Sequence, residues 1–212
     1  MRVLAICAVP READAVKGLS NALVVVSGVG RTNAAIATTR ALMEEGPFDA
    51  VLSLGIAGSL PVEEGALDVG EVVLASESVY HEEGLITSKG FLDTSEMGFP
   101  LGPFPGNRIP GSPALIELFD GLGRSGVIAT VATCSGTDAA ASDVCHRTGA
   151  IAEAMEGAAV LHVAGAFSCP AVELRVISNT TGDRDGQVWA LDEAFVALAD
   201  VVSQLDQRLR SA

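Results

Sequence analysis

A small set of ionisable and amide side chains stands where apolar segments of the sequence end. Glu12 follows the first segment, VLAICAV, and Glu156 follows AIAEAM, while Arg175 and Asn179 lie within PAVELRVISN. Two carboxylates, a guanidinium and an amide can together hold hydroxyl groups, move a proton and bind a polar ring. Whether these residues do so depends on the fold bringing them to one place.

Short β-rich runs alternate with helical runs along the chain. VLAICAV, ALVVVSGVG and GVIATVAT are typical of strands buried on both faces, whereas RTNAAIATTRALMEEG and ALDEAFVALADVVSQLDQRLR have helical spacing of apolar residues. This alternation predicts an α/β fold of three layers, α/β/α, with a mostly parallel central sheet. The 212 residues contain no internal repeat and no interdomain linker, which predicts a single domain over residues 1–212.

The predicted sheet places the polar residues at one edge. The carboxyl ends of parallel strands share an edge, so Glu12, Glu156, Arg175, Ser178 and Asn179 are expected to converge on one crevice. Arg175 lies inside a buried strand and needs a carboxylate partner such as Glu12 or Glu156, because an unpaired buried charge is very costly. Two alternatives stay open, a purely structural ion pair and, for Glu156, a charge at a helix start that the helix dipole favours.

Two glycine-rich segments bear on ligand binding. GVGRTN (residues 28–33) lacks the third glycine of a dinucleotide-binding motif, and the chain has no GxxxxGK[ST] motif, so a tight turn is favoured there. SLGIAGSL (residues 53–60) is predicted to be a buried strand followed by a glycine-rich turn. There Gly55, Ala57 and Gly58 would let a sugar or ring approach the backbone, the alternative being a plain tight turn.

Charge and composition exclude several classes of partner. The formal net charge is −14, which repels nucleic acid and anionic membranes, so neither is expected as a partner. No apolar run approaches the roughly 18 residues of a membrane span, and the first run is too short for a signal peptide. Four cysteines without a CxxC pair predict reduced thiols and a cytoplasmic location. They are Cys7, Cys134, Cys145 and Cys169.

One stretch is rich in proline. Residues 99–113, FPLGPFPGNRIPGSP, hold five of the nine prolines and are predicted to be a loop without regular elements, part of an excursion over about 81–113. Such a loop is either a functional lid or a surface excursion. Ser112 is predicted to cap the helix that follows, with Pro113 at its first position.

Four segments together resemble a known family. SLGIAGSL, GEVVLASESVYHEEG, MEGAAVLHVA and RVISNTTGDRDGQVW are similar to the nucleoside phosphorylase/nucleosidase superfamily over nearly the whole chain. Within it, the nucleosidases that cleave methylthioadenosine or adenosylhomocysteine are most similar, and ISNTTGDRDGQVW looks most like the futalosine hydrolase family. The resemblance implies a mixed twisted sheet, hydrolysis of a nucleoside in a route to menaquinone, and a homodimer or larger homo-oligomer.

The resemblance also implies roles for individual residues. Met155 and Glu156 match the pair that holds the ribose, with the carboxylate accepting hydrogen bonds from its hydroxyl groups. Glu12 matches the carboxylate that positions or deprotonates the attacking water, and Arg175 matches the arginine near that water. Asn179 matches the residue that addresses the purine, usually aspartate in the adenine-cleaving nucleosidases. No metal ion and no organic cofactor is implied.

Further residues are candidates for substrate binding by the same resemblance. Thr137 is a candidate for contacts to the base, and Asp183 and Asp185 are alternatives to Asn179 for acting on it. His81 and Trp189, together with Phe91 and Arg108, are candidates for the benzoate side of futalosine. The predicted substrate-binding set outside the Met155–Glu156 pair is Ala57, Gly58, His81, Thr137, Ser178 and Trp189.

Asparagine at position 179 favours a 6-oxopurine. Its NH₂ can donate to N7 or O6 of hypoxanthine, whereas a protonated aspartate suits a 6-aminopurine. The expected small-molecule substrate is therefore a 6-oxopurine nucleoside, which the resemblance implies is futalosine, with water as the nucleophile. SLGIAGSL lacks the arginine that accompanies this segment in related phosphorylases, although Arg11 and Arg31 stay open as replacements.

Three alternatives to a futalosine hydrolase stay open. One is a methylthioadenosine/adenosylhomocysteine nucleosidase, and another is a phosphate-dependent purine nucleoside phosphorylase. The third is a catalytically inactive nucleoside-binding protein.

Overall fold

A computed structural model of the chain describes residues 1–62 and 65–212. In this part of the chain the strands are β1 (Val3–Cys7), β2 (Ala22–Val26), β3 (Ala50–Ser59), β4 (Val72–Tyr80), β5 (Gly84–Thr87), β6 (Gly90–Asp93), β7 (Arg108–Pro110), β8 (Arg124–Thr130), β9 (Ala150–Ala154) and β10 (Ala171–Thr180). The helices are α1 (Pro10–Ala15), α2 (Arg31–Glu44), α3 (Pro113–Leu118), α4 (Asp138–Thr148), α5 (Gly157–Ala166) and α6 (Leu191–Ser211). Short 3₁₀ turns occur at Val16–Gly18 and Arg184–Gly186.

The main sheet is mixed and partly closed on itself. Its strand order is β2-β1-β3-β9-β8-β4-β10, with β7 added beside β4. Because β10 also pairs with β3, the strands β3, β9, β8, β4 and β10 close into a ring. The pairs β3–β9, β4–β10 and β4–β7 are antiparallel and the other pairs of this sheet are parallel. This confirms the predicted mixed, mostly parallel sheet and adds the closure.

Alternate residues of β1 face the two helical layers. Val3, Ala5 and Cys7 pack in a core that includes α6, whereas Leu4 and Ile6 pack in a second core with α2 and α5. This alternation follows from the period of two of a β-strand. Both faces of the sheet are therefore covered, as predicted for a three-layer α/β/α fold. None of the helices in the described part of the chain combines the length and apolar character of a membrane span.

The predicted closing helix is confirmed as α6. Its buried residues recur every three or four positions and form one apolar face against the sheet. They are Ala194, Leu198, Val201, Val202, Leu205 and Leu209. Asp192 and Glu193 stand in the first turn and Arg208 in the last, where the charges complement the helix dipole.

The predicted turn in SLGIAGSL is wrong, because β3 continues as one strand to Ser59. β10 runs beside it, with Arg175 opposite Gly55 and Asn179 opposite Gly58, and β9 pairs with Gly58 from the other side. Glycine in a strand often marks a close approach of other groups rather than a turn. Long-range pairing therefore decides the local structure here.

The proline-rich stretch differs from its prediction in part. β5 and β6 form a hairpin within the excursion, and β7 (Arg108–Pro110) pairs antiparallel with β4, so 99–113 does contain a regular element. Pro110 ends this edge strand, a position that tolerates a residue without an N–H donor. Ser112 does occupy the N-cap position of α3, but its hydroxyl makes no capping hydrogen bond.

The core beneath α6 yields a stability test. Leu198 is fully buried, so Leu198→Ala is expected to lower the free energy of unfolding by about 2–5 kcal/mol through lost burial and a residual cavity. Val196→Ala on the same helix is the matched control, since Val196 is 64% exposed. Urea unfolding should place the control within about 0.5 kcal/mol of the parent. Equal effects at both positions would contradict the assignment of the buried face.

Candidate functional site

A single buried arginine organises one end of the site. Arg175 on β10 donates from Nε to Glu173 Oε1 at 2.8 Å and from Nη2 to Ser53 Oγ at 3.1 Å. Its Nη2 lies 3.4 Å from Glu156 Oε2 and its Nη1 lies 3.9 Å from Glu12 Oε1. One guanidinium thus faces three carboxylates, all within the protein interior.

Glu12 is held by backbone donors from two elements. It sits in the first turn of α1, where its Oε2 accepts hydrogen bonds from the N–H groups of Ala8 (2.7 Å) and Val9 (3.1 Å). Its Oε1 accepts from the Ile56 N–H of β3 at 2.9 Å. Gly55 is required beside it, because an added methyl group would collide with both Glu12 and Arg175. These contacts fix the carboxylate against the sheet.

Glu156 joins a third segment to this cluster. It directly precedes α5, and its Oε1 accepts a hydrogen bond from the Gly30 N–H at 2.9 Å while Oε2 faces Arg175. The backbone of Gly30 has φ of 95°, in the region that favours glycine. GVGRTN therefore supplies a donor to a carboxylate. Met155 is half-buried and packs beside the cluster of Leu60 and its neighbours.

Glu173 is a member of the cluster that the sequence analysis missed. It is fully buried, makes the shortest contact to Arg175, and accepts a hydrogen bond from Ser78 Oγ at 2.5 Å. The predicted partners of Arg175, Glu12 and Glu156, are present but lie farther away. The sequence ELR (residues 173–175) indicates this pairing, since residues two apart on a strand share one face.

Burial sets the proton affinities of the cluster. Burial raises the pKa of Glu12 and of Glu173 above the ordinary carboxyl value, although Arg175 and hydrogen bonds oppose this. Burial would lower the pKa of Arg175, but the attraction of Glu173, Glu156 and Glu12 raises it instead. With one cation among three carboxylates, the cluster favours retaining a proton on a carboxyl group.

A cavity of about 260 Å³ lies at the other end of the site, around Asn179. Its wall combines small residues with polar side chains and the half-exposed indole of Trp189. The lining residues are Gly58, Cys134, Ser135, Gly136, Glu153, Asn179, Arg184, Gln187 and Trp189. Gly58, Asn179 and Trp189 of the predicted site residues therefore meet here.

The amide of Asn179 has a defined orientation. Its Nδ2 donates to the Thr180 carbonyl at 2.9 Å, and the Ser178 hydroxyl lies 2.8 Å from its Oδ1. Ser178 also approaches the Ala57 carbonyl at 3.2 Å, but its one proton serves the shorter contact. Nδ2 donates one N–H to Thr180, which leaves its second N–H for a ligand.

β3 connects the two ends of the site. Gly55 stands opposite Arg175 and Gly58 stands opposite Asn179, with a bulge at Ser178 in β10 between the two pairs. Three residues of strand span about 10 Å. The Arg175 cluster and the cavity around Asn179 therefore flank the same strand about 10 Å apart along its length.

Other predicted residues lie outside these two groups. Ala57 packs inside the ring with apolar side chains of all five ring strands. The exposed Thr137 uses its hydroxyl to cap α4, accepting from the Ala140 N–H at 3.2 Å. His81 lies 3.2 Å from Asp143 and lines a separate cavity of about 470 Å³. Phe91 and Arg108, the other candidates for the benzoate side, line that cavity too.

Among residues 1–62 and 65–212, no group of three His, Cys, Asp or Glu side chains could hold a metal ion.

Comparison with known proteins identifies relatives of the chain. The sequence model of the family described as the phosphorylase superfamily matches residues 7–209. The chain is 36% identical to the futalosine hydrolase of Streptomyces coelicolor over 193 residues, which cover 88% of this chain and 79% of that protein. It is 31% identical to the 5′-methylthioadenosine/S-adenosylhomocysteine nucleosidase of Chromohalobacter salexigens over 207 residues, covering 90% and 81% of the two chains.

A solved structure shares the fold. The 5′-methylthioadenosine/S-adenosylhomocysteine nucleosidase of Helicobacter pylori superposes with a TM-score of 0.78 over 100% of this chain and 99% of the other. The identity is 22%, so the likeness concerns the fold. It confirms the predicted nucleoside phosphorylase-like architecture.

The Arg175 cluster predicts a pH-dependent stability. Burial raises the pKa of Glu173 in the folded state, so the stability it contributes is fully present below its unfolded pKa of about 4.3 and is lost as the pH rises through the folded pKa. Glu173→Gln does not titrate. Between about pH 5 and about pH 8, the free energy of unfolding of the variant should therefore rise relative to that of the wild type, as measured by urea unfolding at each pH.

The exposed Glu45 provides the control for this measurement. Glu45→Gln makes the same substitution at the surface, and its difference from wild type measures how much pH dependence the loss of a surface charge causes. A difference for Glu173→Gln that varies with pH no more than that of the control would contradict the raised pKa of Glu173.

Proposed function

The chain belongs to the phosphorylase superfamily, and we propose that it hydrolyses the N-glycosidic bond of futalosine to release hypoxanthine. The observation that carries this proposal is the oriented amide of Asn179, which has an N–H to offer at the wall of the base-sized cavity. The similarity to a futalosine hydrolase at 36% identity supports it. The route to menaquinone is the corresponding metabolic setting.

Asn179 acts on the leaving base. As the C1′–N9 bond breaks, the bonding electrons move into the purine ring, and the negative charge is shared with N7 and O6. A donor fixed in advance stabilises that charge more in the transition state than in the ground state, which is the requirement for catalysis. The hypoxanthine anion then takes up a proton from solvent.

Glu156 and Met155 hold the sugar. The carboxylate accepts hydrogen bonds from the ribose hydroxyl groups, and the half-buried Met155 lies against the sugar face. The negative charges of Glu156 and Glu12 stabilise the positive charge that develops on the sugar as the base departs. Arg175 keeps these carboxylates in place and sets their spacing.

Glu12 activates the water. The water oxygen bonds to C1′ and one of its protons passes to the Glu12 carboxylate, so the products are the free base and the sugar with a new hydroxyl group. Burial raises the pKa of Glu12, which makes it a stronger base than an exposed carboxylate. Three backbone N–H donors keep its orientation through the transfer.

Phosphate is disfavoured as the nucleophile. The two candidate phosphate-binding arginines are engaged by carboxylates, Arg11 by Asp192 at 2.5 Å and Arg31 by Glu83 at 2.8 Å and Glu82 at 3.1 Å. An anion would have to displace these pairs. Water needs no such rearrangement.

The direct test is product release. Purified enzyme with futalosine and without phosphate should yield hypoxanthine, detected through xanthine oxidase as uric acid absorbance. Adenine release from methylthioadenosine in place of this reaction would favour the adenine-specific nucleosidase. A requirement for phosphate would favour a phosphorylase, and the absence of hypoxanthine in every condition would refute the proposal.

The proposed contact between Asn179 and the purine can be tested separately with the variant Asn179→Asp. A carboxyl group that can be protonated suits a 6-aminopurine, so the ratio of kcat/KM for methylthioadenosine to kcat/KM for futalosine should rise by about tenfold or more. Asn21→Asp makes the same chemical change at an exposed position and should leave the ratio unchanged. An unchanged ratio in the Asn179 variant would contradict the role of this amide.

A further inference from the structure

A second polar side chain lines the cavity around Asn179, from the strand on the other side of β3. Glu153 on β9 lines the same cavity as Asn179 and is only 4% exposed. Gly58 pairs with Asn179 on β10 and with Glu153 on β9. A methyl group built on Gly58 would lie 3.1 Å from Asn179 Nδ2 and 3.6 Å from Glu153 Cγ, so both side chains approach the same point.

The known contacts of Glu153 do not account for its burial. Its Oε1 accepts from the Ser135 N–H at 2.8 Å and its Oε2 accepts from the Ser135 hydroxyl at 2.6 Å. Within the described part of the chain no cation lies at ion-pair distance from it. Arg184 lines the same cavity but donates to Gln187 Oε1 at 2.9 Å. A buried carboxylate without a cation is costly, and each of its oxygens retains capacity to accept another hydrogen bond.

The chemistry of a 6-oxopurine fits this pair of residues. Such a base carries a donor at N1–H and acceptors at O6 and N7. Asn179 offers a donor and Glu153 offers an acceptor. A 6-aminopurine has an acceptor at N1, whose lone pair would face the carboxylate, and the mismatch of buried polar groups is strongly discriminating.

We propose that Glu153 is a specificity-determining residue that accepts the N1–H of the 6-oxopurine while Asn179 donates to its other edge. This assignment rests on the proposed function, because it specifies which base the same site accepts. The two Ser135 hydrogen bonds orient the carboxylate, and the absence of a side chain at Gly58 lets the side chains of Asn179 and Glu153 approach each other at the cavity wall. In this assignment Glu153 selects the base through a hydrogen bond and takes no part in activating the water.

The test compares two substrates that differ only at C6 of the purine, futalosine and its 6-amino analogue. Wild-type enzyme should prefer futalosine. In Glu153→Gln the new amide can donate to N1 of the amino analogue, so the ratio of kcat/KM values should fall by about 10- to 100-fold. A fall of the same size for both substrates, with the ratio unchanged, would show that Glu153 only holds Ser135 and would overturn the assignment.

Glu45→Gln is the matched control for this comparison. It makes the same chemical change at an exposed position at the end of α2, away from the cavity, so it should leave the ratio within about twofold of wild type. A change of the ratio in this control as large as that in Glu153→Gln would overturn the assignment, because the preference would then not depend on the acceptor in the cavity.

A binding measurement on the wild type covers the case in which the Gln variant does not fold. Hypoxanthine should bind at least about tenfold more tightly than 1-methylhypoxanthine, which lacks the N1–H donor, and equal affinities would overturn the role of Glu153. The failures are distinguishable. Wild type that releases no hypoxanthine from futalosine refutes the proposed function, whereas active wild type with an unaltered ratio in Glu153→Gln refutes the Glu153 assignment.

Discussion

The attraction between one buried guanidinium and three buried carboxylates is the constraint on which the rest of the structure depends. Arg175 draws together a side chain from α1, one from the start of α5 and one from its own strand. Without these partners, an arginine in the interior would cost several kcal/mol. The same attraction gathers Glu12 and Glu173, whose pKa values are raised, beside Glu156, so the interaction that stabilises the fold also assembles the groups of the proposed mechanism.

The small residues of β3 are the second half of this arrangement. Gly55 leaves space for the Glu12–Arg175 contact, and Gly58 leaves space beside Asn179 and Glu153. A strand with ordinary side chains at these positions would fill the site with its own atoms. Closure of the ring by β3–β10 pairing then keeps the Arg175 cluster and the cavity around Asn179 at a fixed separation along two adjacent strands.

Local patterns made much of this molecule predictable from sequence. The apolar spacing of α6 and the alternation of strands and helices depend on neighbouring residues, and the shared edge of parallel strands anticipates the meeting of Glu12, Glu156 and Arg175. Glu173 was not predicted as a site residue although its position two residues before Arg175 on one strand indicated the pairing. Glu153 could not be predicted, because its place in the cavity depends on the pairing of β9 with β3. The turn expected in SLGIAGSL failed for the same reason, since pairing with β9 and β10 extends a segment that glycine would locally interrupt.

The position of Trp189 has a consequence for how this molecule can be observed. It is the only tryptophan in the chain, it is half-exposed, and it lines the cavity around Asn179 with the guanidinium of Arg184 lying 4.8 Å from its ring centroid. The intrinsic ultraviolet emission of the protein therefore originates almost wholly from one indole in the wall of the cavity around Asn179. A planar ring entering that cavity would change the solvent and the neighbours of this single fluorophore, so the unlabelled protein carries its own optical reporter of occupancy.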